Sequence, residues 1–150
     1  MVQIKKILCS VDFSADSERA VIYATQLART LNAKLILLYI VGPILASSYE
    51  LSMNLGDVLD AKSHEASRHL NRLAKPAERA NVLVHRIVRT GEVEDLVKST
   101  VSSEGADLVV VGAHKRLFGE RVLRSAPCPV LMIPPGSTAK RKNHSHLRAA

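Results

Sequence analysis

The sequence predicts an α/β protein, an open five-stranded parallel sheet with helices on both faces. Three observations predict it. Apolar runs of strand length alternate with stretches of helical period from Ile4 to Ile133, in the order βαβαβαβαβ. The run Lys34 to Val41 (KLILLYIV) is apolar almost without a break, as in a strand covered on both faces. The chain of 150 residues has no internal repeat and no interior linker, so one domain is expected.

Ile4 to Val11 (IKKILCSV) reads as the first strand. Ser14 then offers an N-cap, with Asp16 and Glu18 in the positive first turn. Ala20, Ala24, Leu27, Ala28 and Leu31 fall on one face of the helix that follows, and Asn32 ends it. Gly42 and Pro43 break the second strand, leaving a loop to about Gly56. A second helix is expected over 57–80, with Leu59, Ala66, Leu70, Leu73 and Ala77 along one side and a kink or split at Pro76. Val82 to Val88 is the third strand. Thr90-Gly91 leads into a third helix with Val93, Leu96, Val97 and Val101 on one face, closed by Gly105. Ala106 to Val111 is the fourth strand, a short helix lies near Glu120 to Arg124, and Val130 to Ile133 is the fifth strand.

Composition excludes several classes. No apolar run reaches the roughly 18 residues of a membrane span. The N-terminus MVQIKKILCSVD lacks the features of a secretory signal, so a cytoplasmic location and no membrane partner are expected. The net charge is +7, but Lys140, Arg141, Lys142 and Arg148 sit in a terminal stretch with no acid, leaving 17 basic against 14 acidic residues ahead of it. That tail, 135–150, is expected to be disordered beyond a folded unit of 1–134. With aromatics at 3%, a base-stacking surface is not expected, nor a specific nucleic-acid partner. Cys9 and Cys128 match no metal or redox spacing and are expected to be reduced thiols.

Nucleotide motifs were sought at the strand ends. No G-x-G-x-x-G follows the first strand, which ends Ser10-Val11-Asp12-Phe13-Ser14, and no G-x-x-x-x-G-K-[ST] occurs. The ends of the third and fifth strands lack the Asp and Lys of a phosphate-receiving regulator. The fourth strand instead opens at Gly112 into a short basic loop that runs to Gly119. Pro129 belongs at a strand start or an edge. Val130 to Ile133 would then be an apolar edge, either paired with the same strand of a second copy or covered by the tail or a helix.

The segments ILCSVDFSADSERAVIYA, TGEVEDLVKSTVSSEGADLVVVGAH and ERVLRSAPCPVLMI together resemble the universal stress protein family, over about Ile4 to Pro134. The resemblance implies strand order 3-2-1-4-5, an adenine-nucleotide alpha-hydrolase-like Rossmannoid fold, a cytoplasmic location and homodimers often joined through the fifth strand. That order would hold Cys9 and Cys128 too far apart for a disulfide. It also places a ligand crevice between the first and fourth strands.

Family members that bind ATP carry G-x-x-G, about nine further residues, then G-[ST], whose backbone amides cradle the phosphates. Here Gly112 and His114 match the first part, Lys115 stands where the second glycine belongs, and the rest is missing ahead of Glu120. By resemblance, Ser10, Val11 and Asp12 flank the adenosine, with Asp12 accepting from ribose hydroxyls. Ile40 would touch the base, and Lys115 and Arg116 would meet an anion. Each has a plainer reading. Asp12 starts the first helix, Lys115 and Arg116 are solvated loop charges, and His114 bonds nearby backbone.

Elsewhere, His64 and His69 do not share a helical face, His85 stands alone on the third strand, and His144 and His146 lie in the tail. No metal site and no catalytic residue is expected. The leading reading is a cytoplasmic stress-response protein, not an enzyme, acting as a homodimeric interaction module with weakened nucleotide binding and open to other protein partners. The alternatives are an ATP-binding sensor using the crevice and a nucleotide hydrolase.

Overall fold

The computed structural model of the protein describes residues 2–12, 14–42, 55–113 and 116–136, with the side chains of 116–118 outside that description. Its elements are β1 (Lys6–Val11), α1 (Ala15–Leu31), β2 (Lys34–Val41), α2 (Leu55–Arg79), β3 (Val84–Thr90), α3 (Val93–Glu104), β4 (Leu108–Gly112), α4 (Arg116–Ser125) and β5 (Val130–Ile133). All pairings are parallel and the order is β3-β2-β1-β4-β5. The chain therefore winds one way from β1 to β3 and the other way from β4 to β5, which puts helices on both faces.

Strand alternation sorts the core into two layers. Ile7, Cys9, Val11, Leu35, Leu37 and Val110 pack beneath α1 and α2, against Ala24, Ala28, Leu70 and Ala77. Leu8, Ile36, Leu38, Val109 and Val111 face the other way, against Val97 and Val101 of α3 and Val122 of α4. The unbroken apolar run of β2 serves both layers, since helices cover it on both faces. At the amino-terminal edge, Asp107 Oδ2 accepts from the N–H groups of Lys5 (2.9 Å) and Lys6 (3.0 Å), and Asp107 N–H donates to Lys6 O. These bonds pin the register of β1 against β4.

The helix ends follow the expected chemistry. Ser14 caps α1, its side chain accepting from Ser17 N–H. Asn32 (φ 52°) and Gly105 (φ 67°) close α1 and α3 in the left-handed conformation. Leu31, expected on the buried face, is exposed in the last turn of α1.

Several boundaries differ from the sequence reading, β1 and β4 each beginning two residues later than expected. One helix, Leu55–Arg79, runs through Pro76 without a split. Pro76 sits in its last turn, where the missing N–H removes a single ladder bond, and Ala80 N–H still donates to Pro76 O. β3 begins two residues later than the alternation suggested. Val82 is buried, but its N–H donates to Ala77 O, so it ends α2 rather than joining the ladder.

α4 begins at Arg116, not near Glu120, and takes in Gly119. A side chain at Gly119 would meet Met132 Cε at 2.6 Å. Close packing of α4 on β5 is what holds a poor helix former inside the helix, at a propensity cost of roughly 1 kcal/mol.

Two glycines serve packing in different ways. A Cβ on Gly112 would lie 2.8 Å from the main-chain oxygen of Asp16, whereas one on Gly119 would press on the tip of a flexible methionine. Gly112→Ala is expected to destabilise the protein by about 1–3 kcal/mol. Gly119→Ala is expected to be near neutral, because the helix-propensity gain of roughly 1 kcal/mol offsets the Met132 shift. Urea-denaturation midpoints of the two variants check the contrast.

Candidate functional site

β1 is flanked by β2 on one side and β4 on the other, and the chain direction of winding reverses between them. Sheets of this kind hold ligands at that point, in the crevice outside the carboxyl ends of the strands. The register brings the predicted residues to it. Ser10 stands opposite Leu38 and Val111, and Val11 opposite Tyr39. Ile40 stands opposite Arg89, and Gly112 opposite Ile133. Ser10, Val11, Asp12, Ile40 and Gly112 therefore meet at one edge, although most of the chain separates Asp12 from Gly112. His114 and Lys115 lie outside the described residues, as does the side chain of Arg116, which opens α4.

A closed set of hydrogen bonds shapes the turn from β1 into α1. Ser14 N–H donates to Asp12 Oδ1 (2.8 Å), Asp12 N–H to Ser17 Oγ (2.7 Å), and Ser17 N–H to Ser14 Oγ (3.1 Å). Asp12 thus starts the helix, as its plainer reading held. The same bonds fix the direction of its carboxylate at the crevice edge. Ser10 is buried, and its Oγ has no hydrogen-bond partner among the described residues. A buried hydroxyl left so is costly unless something else meets it. The two features suit the adenosine end of a nucleotide.

The phosphate end fits less well. β4 stops at Gly112 and α4 starts at Arg116, so only residues 113–115 connect them. The N–H of Ala113 donates to Ile133 O at 2.9 Å and is spent on the sheet. Gly112 owes its lack of a side chain to the Asp16 backbone, and Gly119 to Met132. α4 is also tied down at its middle. Arg121 Nε donates to Glu94 Oε1 (2.8 Å) and Arg121 Nη2 to Glu92 Oε2 (3.4 Å) at the start of α3. The hydrogen bond to Glu94 above all holds that guanidinium protonated.

The sequence reading passed over a second group at the rim. On the α1–α2 side, Arg72 Nη2 donates both to Glu18 Oε1 and to His69 Nδ1, each at 2.9 Å. His69 is half-buried and stands near the main chain of Asp12. Tyr39, at the end of β2, is pushed up in pKa by burial and then by the charges of Asp12 and Glu65. Glu65, Arg68, His69 and Arg72 line an open cavity of about 460 Å³. The spacing of His69 and Arg72, three apart beside Leu70 and Leu73 on the buried side of α2, was the signal available. Only the fold shows that they reach Asp12.

His85 is not alone, contrary to the sequence reading. Its Nδ1 lies 3.1 Å from Glu104 Oε2 at the end of α3. Cys9 and Cys128 are both free, with β4 lying between their segments. Burial pushes the Cys9 thiol up to about 12. Among the described residues no cluster of three His, Cys, Asp or Glu is poised for a metal, and no helix is long and apolar enough to cross a membrane.

Fold and crevice together define an α/β protein of the adenine-nucleotide alpha-hydrolase-like class. The model of the universal stress protein family matches residues 3–134, and the chain belongs to that family. It is 30% identical over 145 residues to universal stress protein A homolog 2 of Coxiella burnetii, covering 89% of this chain and 97% of that one. A universal stress family protein from Burkholderia pseudomallei superposes with a TM-score of 0.75 at 28% identity, over 88% of this chain and 97% of the other. The same fold occurs in a universal stress protein solved in complex with cAMP (TM-score 0.69, 24% identity, 87% and 97% covered). It occurs again in an Arabidopsis thaliana family protein solved with AMP bound (TM-score 0.69, 17% identity, 93% and 97% covered).

His69 supplies a pH test. Burial, then the Arg72 charge, hold its ring below the ordinary value of 6.5, outweighing the Asp12 carbonyl and the nearby carboxylates. The unfolded chain therefore takes up this proton more readily than the folded one. The stability so gained is complete above pH 6.5 and is lost as pH falls through the lower folded value. His69→Gln is expected to remove that component. Comparing urea midpoints of the two proteins from pH 7.5 to pH 5 checks it: their difference changes with pH only if the ring is held neutral.

Proposed function

We propose that the chain acts as a homodimeric regulatory module of the cytoplasmic stress response, taking an adenine nucleotide of monophosphate size in the crevice and a triphosphate only weakly. The observation that carries this is the three-residue connection between β4 and α4. It offers too few backbone amides to wrap three phosphoryl groups, and one of those few is committed to Ile133. The oriented Asp12 carboxylate and the buried Ser10 hydroxyl support retention of the adenosine part. The cAMP and AMP complexes of two relatives on the same fold agree with a ligand of that size.

Dimerisation would run through β5. Among the described residues β5 pairs on one side only, with β4. Leu131 on that strand and Leu123 on the adjoining helix are exposed, at 39% and 53%. An apolar strand edge of this kind is completed well by a second copy of itself.

Two measurements test the reading. Thermal melting with AMP and with ATP at equal concentration should show the larger rise for AMP, approaching about 2.7 kcal/mol of stabilisation at a hundred times the dissociation constant. Asp12→Ala should remove that rise. ATP recovered at one per chain from freshly denatured protein would instead mark an ATP-binding sensor, and phosphate release abolished by Asp12→Ala would mark a hydrolase. Sedimentation equilibrium should give twice the chain mass of 16.4 kDa. Leu131→Lys should return the monomer; a concentration-independent monomer in the parent protein would refute the assembly.

A further inference from the structure

The amino-terminal edge of the sheet lies at the far end of the strands from the crevice. There Lys5 leads into β1, Lys34 opens β2 and Leu83 precedes β3. Lys34 N–H donates to Lys5 O at 2.8 Å and Leu35 N–H to Leu83 O at 2.9 Å, so the three positions lie on neighbouring strands about 4.8 Å apart. α1 and α2 end at the same edge, where Asn32 (φ 52°) and Asn81 (φ 60°) turn the chain out of the helices in the left-handed conformation. A hollow of about 400 Å³ opens here, lined by Lys5, Arg29 and Lys34 and by no carboxylate. A second hollow of about 550 Å³ shares Lys5 and Asn32 with the first and is walled by Val2, Ile4 and Leu31.

Two properties set this surface apart. The first is unopposed charge. Among the described residues, the side chains of Lys5, Arg29 and Lys34 form no ion pair. Acid at this edge is engaged otherwise: Asp107 Oδ2 accepts from the N–H groups of Lys5 and Lys6, and Glu104 Oε2 lies 3.1 Å from His85 Nδ1. Arg29, in the last turn of α1, suits the negative end of the helix dipole. Lys5 and Lys34 come from the sheet, whose own dipole is small. The second property is exposed apolar surface. Val2, Leu83 and Leu31 stand 87%, 75% and 43% exposed around the two hollows. A single exposed leucine means little, but three apolar side chains beside joined hollows form a patch for a partner to cover.

Charge and shape select the occupant. The chain's own terminal stretch is a poor match, since it brings Lys140, Arg141, Lys142 and Arg148 and no acid. Lipid surfaces are met by cations and apolar groups that project together from one face, whereas these cations line hollows. Single-stranded nucleic acid needs aromatic platforms beside its phosphate contacts, and no aromatic residue lines either hollow. A carboxylate side chain suits the first hollow, with an aliphatic neighbour laid on Leu83 or Leu31.

We propose that this edge is a docking surface for an acidic peptide segment of another protein, whose carboxylates meet Lys5, Arg29 and Lys34 while its aliphatic side chains cover Val2, Leu31 and Leu83. The surface lies at the opposite end of the strands from Asp12 and Gly112, so partner and crevice ligand bind without competing. The docking surface requires nothing of the crevice reading, and each is tested separately.

The test is an amide-shift titration of the full chain with a blocked hexapeptide, two leucines flanked on each side by two glutamates. Shifts are expected at 2–5, 29–34 and 81–83, and none at 10–12. Lys5→Glu combined with Lys34→Glu should weaken binding about tenfold or more. Raising salt from about 0.05 to about 0.5 M should weaken it several-fold. Leu83→Ser, at a position already exposed, should weaken it about fivefold. Arg124→Glu, a like charge change on the exposed surface of α4, should leave it unchanged. Amide spectra that match the parent away from each substitution keep a folding failure from passing as lost binding. Absence of shifts at millimolar peptide, shifts spread over the chain, or equal binding of a peptide with lysine in place of glutamate overturns the proposal. So does capture of the chain by vesicles of anionic phospholipid through Lys5 and Lys34 without binding of the peptide, which would make the surface a membrane contact.

Discussion

The contact of Gly112 with the first turn of α1 is the constraint on which the rest of the molecule depends. β4 reaches its carboxyl end against the main chain of Asp16, closer than any side chain would allow. The same turn of α1 is built from Asp12, Ser14 and Ser17. One close approach thus sets how near the first turn of α1 lies to the end of β4, beside the turn that carries Asp12. It also commits Gly112 to packing, so a glycine that sequence comparison assigns to phosphate has a structural reason to be there.

On the far side of the crevice the fold has spent its loop. α4 follows β4 almost at once, packs Gly119 on Met132 and is tethered by Arg121 to the acidic start of α3. Burial of Val122 against the sheet holds α4 in place, and the exposed Arg121 pairs add little to that. Affinity for phosphate in such sheets comes from backbone amides that converge on the ligand, and a short tethered connection restricts how many can converge. On the reading proposed above, this edge would suit a small ligand better than a triphosphate.

The rim opposite is polar and titratable, and its logic differs. Glu18 of α1 and Arg72 and His69 of α2 are joined by bonds whose donors and acceptors admit one arrangement. Arg72 and Glu18 are largely exposed, so the ion pair contributes little to stability. Its importance is directional: it holds the guanidinium where it can donate to the imidazole. The nearby Tyr39 and Glu65 extend the same polar rim toward the end of β2.

Element identity was legible because it depends on neighbours in sequence. Apolar period, the Ser14 cap, the left-handed Asn32 and Gly105 and the break at Gly42 act within a few residues of themselves, and β2 and β5 lie where their apolar runs placed them. The site was half legible. Resemblance brought Ser10, Val11, Asp12, Ile40 and Gly112 to one crevice, and the register agrees. Some of what misled was local, as with Val82, whose N–H turns back to Ala77 O; the rest was contact across the chain, such as Gly119 held in a helix by Met132 and His85 met by Glu104. The sequence by itself determined the strands, the helices and their order along the chain, since hydrophobic period and capping are local properties. Tertiary structure alone decided which polar groups meet, because the distance between Gly112 and Asp16, or between His69 and Asp12, exists only once the sheet has folded β4 and α2 back onto β1.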